Sequence, residues 1–186
     1  MVIHGLIDHE EVTGKFKSSW NAGLSFIYTM KTKFGFGADI KFSSEGNKST
    51  YIAASIPEEQ GREVIEWYYI NYIRIPIKII YFFGKEGKVV QPHIYAGPSI
   101  GFLAGGHIID DIGEVKLKWD TKDYIKGFDI GGIVATGFSF KLASNACLNT
   151  DISYYHGFSD ISNIYSNDHN RNVQLNIGLL FGIKKK

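Results

Sequence analysis

The sequence predicts an all-β protein, an antiparallel up-and-down transmembrane β-barrel of eight strands whose first strand is short or truncated. Three observations carry this expectation. Seven segments alternate between an apolar and a polar face, two of them cleanly and five with more noise, the polar face is rich in Gly and Ser, and short links strictly alternate with long ones. The 186 residues, 44% hydrophobic and 21% charged, suit one ordered domain spanning 1–186. Gly 21 against Pro 4, with 13 Phe, 11 Tyr and 3 Trp, points to pleated sheet with close backbone approaches.

The first segment, 16–30, sets Phe16, Ser18, Trp20, Ala22, Leu24, Phe26, Tyr28 and Met30 against Lys17, Ser19, Asn21, Gly23, Ser25, Ile27 and Thr29. Residues 34–43 repeat the rule, with Phe34, Phe36, Ala38, Ile40 and Phe42 opposite Gly35, Gly37, Asp39, Lys41 and Ser43. A helix would mix these sets, because its period is about 3.6 residues. In 66–83 the apolar face runs Trp67, Tyr69, Ile73, Ile75, Ile77, Ile79, Tyr81 and Phe83, opposite Glu66, Arg74 and Lys78. Segments 90–104, 128–142, 148–156 and 172–183 follow with more noise, and make seven strands.

Alternation alone leaves open which face is inside, since a soluble barrel buries its apolar face and a membrane barrel exposes it to lipid. Segments of 15 residues (16–30) and 18 residues (66–83) exceed the common soluble strand of about 5–6. The Gly- and Ser-rich polar face suits a crowded lumen better than a solvated surface. Trp20, Tyr28, Trp67 and Tyr81 lie near strand ends on the apolar face, where interfacial aromatics belong. The links KTK, GKEGK and ASNA are tight, and those at 43–65, 105–124 and 157–171 are long. That alternation predicts periplasmic turns and external loops, with the chain in the cell outer membrane.

Seven strands are one short of the even number expected of a bacterial single-chain barrel. The missing strand is expected before residue 7, with Val2–Leu6 supplying its end and IDHEEVTGK the first external loop. MVIHGLIDHEEV lacks the basic and apolar regions of a signal peptide, so Met1 is expected not to be the natural start. The alternative is an irregular first strand that is complete as given. No run approaches 18 uninterrupted apolar residues, which excludes a spanning helix. Net charge +1 argues against a nucleic-acid partner, and the single Cys147 excludes an internal disulfide or a cysteine zinc cluster.

The stretch YIRIPIKIIYFFGKEGKVVQPHIYAGPSIGFLAG, residues 72–105, resembles the PorT-like outer-membrane β-barrel family of Bacteroidetes. Tyr72, Ile75, Pro76 and Ile77 match its first central strand, and Pro92, His93, Ile94, Ala96, Gly97, Pro98, Ser99, Ile100 and Gly101 its second. FDIGGIVATGFSFKL and DISYYHGFSDI resemble its later strands, with Ser153 in place of an arginine. The chain ends in LLFGIKKK, without the family's terminal aromatic. The resemblance implies a non-enzymatic outer-membrane scaffold, with some relatives tied to protein secretion and gliding.

The inward phase collects Asp39, Lys41, Glu66, Arg74, Lys78, Asp129, Lys141 and Asp151, together with Lys17. In a lumen only just wide enough for side chains, such charges are expected to pair across strands, with Tyr95 and Tyr155 filling gaps. The expected product is a plugged barrel, not a pore. His93 faces inward without a second histidine, and the loop groups His107, Asp110, Asp111 and Asp168, His169 read as solvated. No nucleophile motif is present, so no catalytic, cofactor or metal residues are expected. The expected partners are outer-membrane lipid and a protein at the external loops of a monomeric barrel. A small outer-membrane enzyme and a soluble lipid-binding barrel are the alternatives.

Overall fold

The computed structural model describes residues 2–5, 15–30, 33–52, 63–84, 89–112, 115–163 and 168–182. Eleven strands and one helical turn follow in chain order: β1 (Val2–Gly5), β2 (Lys15–Ser19), β3 (Asn21–Thr29), β4 (Phe34–Glu45), β5 (Asn47–Ile52), β6 (Glu63–Phe82), β7 (Val90–Ile112), β8 (Val115–Asp120), α1 (Thr121–Tyr124), β9 (Phe128–Ala143), β10 (Ala146–Gly157) and β11 (Arg171–Phe181). All pairings are antiparallel between neighbours along the chain or around the ring.

Several of these strands are halves of one crossing. β2 and β3 are separated only by Trp20, and β4 and β5 only by Gly46. Gly46 has φ 145, and a Cβ there would sit 1.9 Å from the Tyr68 carbonyl oxygen, so only glycine permits this approach. Likewise β8, α1 and β9 together form the crossing that follows β7. Counted this way, eight crossings close into a ring, because β1 pairs with both β11 and β2. The closure is confined to the external half, where Val2–Gly5 meet residues 171–174 of β11. Towards the other end, among the described residues, no strand pairs with β3 on the side away from β4, or with residues 175–181 of β11 on the side away from β10. The proposed first loop, 7–15, lies almost entirely outside the described residues.

The alternation decides the faces. Leu24, Phe26, Ile40, Ile77, Ile79, Val134, Ile152, Leu175 and Ile177 point outward and are exposed. Arg74, Lys78, Asp129, Asp151, Ser153 and Gln174 point inward and are buried. A soluble sandwich or barrel would show the reverse, so the soluble lipid-binding alternative fails. Among the described residues no helix is long and apolar enough to cross a membrane; the crossing elements are strands.

Aromatics mark both ends of the apolar wall. Tyr28 sits opposite Phe36, and Phe34, Tyr81 and Phe83 stack edge to face beside the tight turns. At the other end Trp20 packs on Phe42 at 5.4 Å and Phe102 on Phe128 at 5.6 Å. Trp67 stands farther out, with Lys48 Nζ 4.7 Å above its ring.

Two spans expected as long loops are largely strand. Pairing in 43–65 continues through β5 to Ile52 and resumes at Glu63, leaving 53–62 outside the described residues. Span 105–124 holds the end of β7, all of β8 and α1. The physical reason is that a backbone ladder needs no apolar side chains once water covers its faces, so polar strands beyond the bilayer lose the alternating signal. In the third span, the described residues 158–163 and 168–170 lie in no strand.

Ile77 lies four residues from Tyr81 on one side and from Ile73 at the external girdle level on the other, close to mid-membrane. Ile77→Arg should cost roughly 2–4 kcal/mol of folding stability in lipid vesicles. Asn176→Ala, on the inward face, should cost no more than about 1.5 kcal/mol. Denaturant titrations read by gel mobility of the folded barrel compare the two.

Candidate functional site

The inward side chains meet in layers inside the wall. At its centre is Arg74 on β6, only 1% exposed, held between two carboxylates that are themselves fully buried. Its Nε donates to Glu45 Oε1, and one terminal nitrogen donates both to Glu45 Oε2 at 2.6 Å and to Asp129 Oδ2 at 2.9 Å. The guanidinium lies between the rings of Tyr155, 4.2 Å away, and Tyr72, 4.7 Å away. Asp129 also accepts from Asn170 at 2.7 Å and from the Ser159 hydroxyl at 2.8 Å. A buried cation this well surrounded is neutralised, hydrogen-bonded and stacked at once, which offsets its loss of water.

Below this layer Lys78 Nζ donates to Asp39 at 2.6 Å and lies 5.0 Å from the Tyr95 ring. Lys41 Nζ reaches across the lumen to Gln174 Oε1 at 2.8 Å, and Gln174 donates to Asn172 at 2.7 Å. Asp151 accepts from the Tyr95 hydroxyl at 3.0 Å, from Asn176 at 2.8 Å and from Asn149 at 3.0 Å. Apolar clusters flank these layers. Ile80, Tyr95, Ile133 and Ala135, with Ile27 and Phe82, pack together on the side of the tight turns. Ile70, Tyr72 and Ile125, with Tyr68, Leu103 and Tyr124, pack together on the external side.

Six of the eight charges expected in the lumen lie in this filling: Asp39, Lys41, Arg74, Lys78, Asp129 and Asp151. Two do not. Lys141 is exposed at the turn end of β9, because the strand has already left the lumen there. Glu66 sits beyond the external mouth, where it accepts from Ser49 at 3.2 Å and pairs in register with Asp110. The charges pair across strands: Asp39 with Lys78, and Arg74 with Asp129 and with Glu45, which was not among the expected charges. Glu45 was missed because 43–65 read as a loop, although Asp39, Lys41, Ser43 and Glu45 keep one inward phase.

Glycines make the filling possible. A Cβ on Gly101 would meet the Arg74 guanidinium at 2.9 Å, and one on Gly131 would meet the His156 carbonyl at 2.2 Å and the Tyr155 hydroxyl at 2.6 Å. Gly137 makes the same room for Asp151. The Gly-rich polar face is therefore the complement of long inward side chains on adjacent strands.

His93 faces the lumen, buried, 3.5 Å from the Ser139 hydroxyl, which itself donates to Asn149 at 2.7 Å. Among the described residues no three His, Cys, Asp or Glu side chains gather as a metal site. His107 stacks on Tyr69 at 4.6 Å, Asp111 pairs with Lys116 at 3.2 Å, and Asp110 accepts from Trp119 at 2.9 Å. His169 contacts the Ser159 carbonyl at 3.0 Å through Nδ1. Cys147 is a half-buried free thiol.

Gly131→Val should lower folding stability by about 1–3 kcal/mol or more, since backbone stands where the new side chain must go. Gly178→Ala, with open space at its Cβ position, should change it by less than about 0.5 kcal/mol. Denaturant midpoints of the two variants refolded in one detergent give the comparison.

A lumen of hydrogen-bonded charges inside an apolar, aromatic-rimmed wall is the arrangement of a membrane β-barrel. None of the curated protein sequences compared with the chain matches it. Among solved structures, the crystal structure of Neisserial surface protein A (NspA) is similar with a TM-score of 0.56 at 16% identity, covering 98% of this chain and 93% of that one. The N-terminal β-barrel domain of Pseudomonas aeruginosa OprF matches with a TM-score of 0.35 at 12% identity, covering 80% of this chain and 93% of that domain. The first likeness shows the barrel fold. The sequence profile of the outer membrane protein beta-barrel domain matches residues 7–163, and the chain therefore belongs to that outer-membrane β-barrel family.

Proposed function

We propose that this outer-membrane barrel is a closed, non-enzymatic, monomeric scaffold that presents its external segments to a protein partner. The observation that carries the reading is the Arg74–Glu45–Asp129 cluster across the lumen, with further inward side chains in layers around it. This crowding supports a lumen without a solute path, with the Ser139–His93 contact lying among the inward side chains. The match of 72–105 to PorT-like barrels supports a role beside secretion machinery as the finer form of this reading.

The external segments suit presentation. The outer ends of β6 and β7 pair with each other, and β7 pairs on its other side with β8, whose Val115, Leu117 and Trp119 are exposed. Among the described residues the other edge of β8 carries no strand, leaving a backbone edge for strand addition. The 158–170 connection is tied down: Asp160 accepts from Lys126 Nζ at 3.0 Å and from the backbone N–H groups of Ser162 and Asp168 at 3.1 and 3.3 Å. Slight burial pushes the Asp160 carboxyl up, but these donors outweigh it and hold it below the usual carboxylate range.

Reconstituted in planar bilayers, the protein should give no stable channel steps. Reproducible porin-sized conductance, altered by substitutions at Lys41 or Lys78, would make transport the function. A carboxyl held low contributes stability above its unfolded value of about 3.9 and loses it as pH falls through the folded one. Protease cleavage within 158–170 should therefore stay slow from neutral pH down to about 4 and rise only below that. Asp160→Asn should be cleaved readily already at neutral pH.

A further inference from the structure

The external ends of four strands form a sheet of their own. It runs from β5 through residues 63–70 of β6 and 106–112 of β7 to β8. Irregular backbone marks its foot. Gly46, with φ 145, stands between β4 and β5, and Gly105 and Gly106, with φ 121 and 151, stand in β7 beside a register shift at Asn71 and Tyr72 of β6. The ladder is interrupted at that level, so the external sheet can loosen while the wall below it stays paired.

One face of this sheet carries a row in direct register: Ser49 on β5, Glu66 on β6, Asp110 on β7 and Leu117 on β8. Two carboxyls therefore stand side by side on neighbouring strands, where like charges repel. Apolar rows flank them, with Val64, Ile112 and Val115 on one side and Tyr68, Ile108 and Trp119 on the other. Val64, Ile108 and Ile112 are buried. The donors to the pair are neutral. The Ser49 hydroxyl donates to Glu66 at 3.2 Å, and the Trp119 indole N–H donates to Asp110 at 2.9 Å.

The cations of the sheet belong to the opposite phase. Lys48 lies over Trp67, Lys116 pairs with Asp111, and Lys118 is level with Ile109. His107 shares that phase, stacked on Tyr69. Besides the two carboxyls, the titratable groups on the Glu66 face among the described residues are Tyr68, which hydrogen-bonds Glu66, and Tyr124 of α1, edge-on to Trp119. Burial pushes the Glu66 carboxyl up; the Tyr68 and Ser49 hydrogen bonds oppose this, and the Asp110 charge adds to it.

We infer that this external sheet is tightened by acid: with both carboxyls charged the Glu66–Asp110 row weakens the pairing of β6 with β7, and with one proton shared between them it ties the two strands together. The proton comes from water and sits on Glu66, whose O–H donates to the Asp110 carboxylate while Ser49 and Trp119 keep their own bonds. A carboxyl raised in the folded state contributes stability that is complete below its ordinary value of 4.5 and is lost as pH rises through the folded one. The device uses neither the lumen nor a docked partner, so it stands apart from the scaffold reading.

Hydrogen–deuterium exchange of the full chain in detergent micelles tests it, with labelling times scaled to the intrinsic exchange rate at each pH. Protection of the amides in 63–70, 106–112 and 115–120 should be about threefold or more higher at about pH 5 than at about pH 8. Protection in the β9–β10 ladder should be the same at both. Glu66→Gln keeps the shape and carries no charge at either pH, so it should hold the external sheet at the acid level throughout. Asp110→Asn should do the same, and serves alone if the first variant does not fold. The Trp119 indole N–H resonance should titrate in the wild type with the midpoint of the protection change, and lose that step in the folded variant. Equal protection at the two pH values, a change shared by β9–β10, or a pH dependence untouched in a folded variant would overturn the assignment.

Discussion

The structure depends on keeping one guanidinium out of water. Arg74 sits in a ring of eight crossings too narrow for a hydrated ion, and an isolated charge there would cost many kcal/mol. Two carboxylates on different strands, Glu45 on β4 and Asp129 on β9, neutralise it from both sides, and two tyrosine rings cover its faces. β4, β6 and β9 are thereby fixed relative to one another through the lumen as well as through their ladders. The wall alone, packed against fluid lipid, could not set that register so firmly.

Other features follow from this constraint. Long inward side chains on β6 and β10 require glycine on the strands beside them, which is why Gly101, Gly131 and Gly137 occupy inward positions. The same crowding turns the second layer into linked pairs, Lys78 with Asp39 and Lys41 with Gln174. Apolar clusters flank this polar centre on both sides, so it behaves as a core turned inside out. The outer wall then obeys only lipid solubility.

Much of this was legible in the sequence, and the limits have physical causes. Period 2 separates the faces of 16–30 and 34–43 without ambiguity, because lipid and lumen demand opposite chemistry. The signal fades where strands leave the bilayer, since both faces then meet water; β5, β8 and the outer ends of β6 and β7 were read as loop for that reason. Glu45 was lost with them, though its inward phase follows from Asp39 and Lys41. Lys141 shows the converse failure: phase continues past the turn-side rim, but burial does not. Which carboxylate pairs with Arg74 depends on register and tilt, which alternation does not give; Asp39 pairs with Lys78, and Glu45 and Asp129 with Arg74.

The central claim is that Arg74 and Glu45 act as a buried, mutually dependent pair that holds the filled lumen together. A double-mutant cycle with Arg74→Met, Glu45→Gln and the combined variant, measured by reversible denaturant unfolding in lipid vesicles, tests it most directly. The account predicts that each single change costs several kcal/mol, and that the pair shows a coupling of about 3 kcal/mol, because Arg74→Met leaves Glu45 a buried charge without its cation and Glu45→Gln leaves Arg74 with Asp129 alone. Additive losses, with a coupling below about 0.5 kcal/mol, would mean that water reaches the lumen and screens the pair, and would contradict the account.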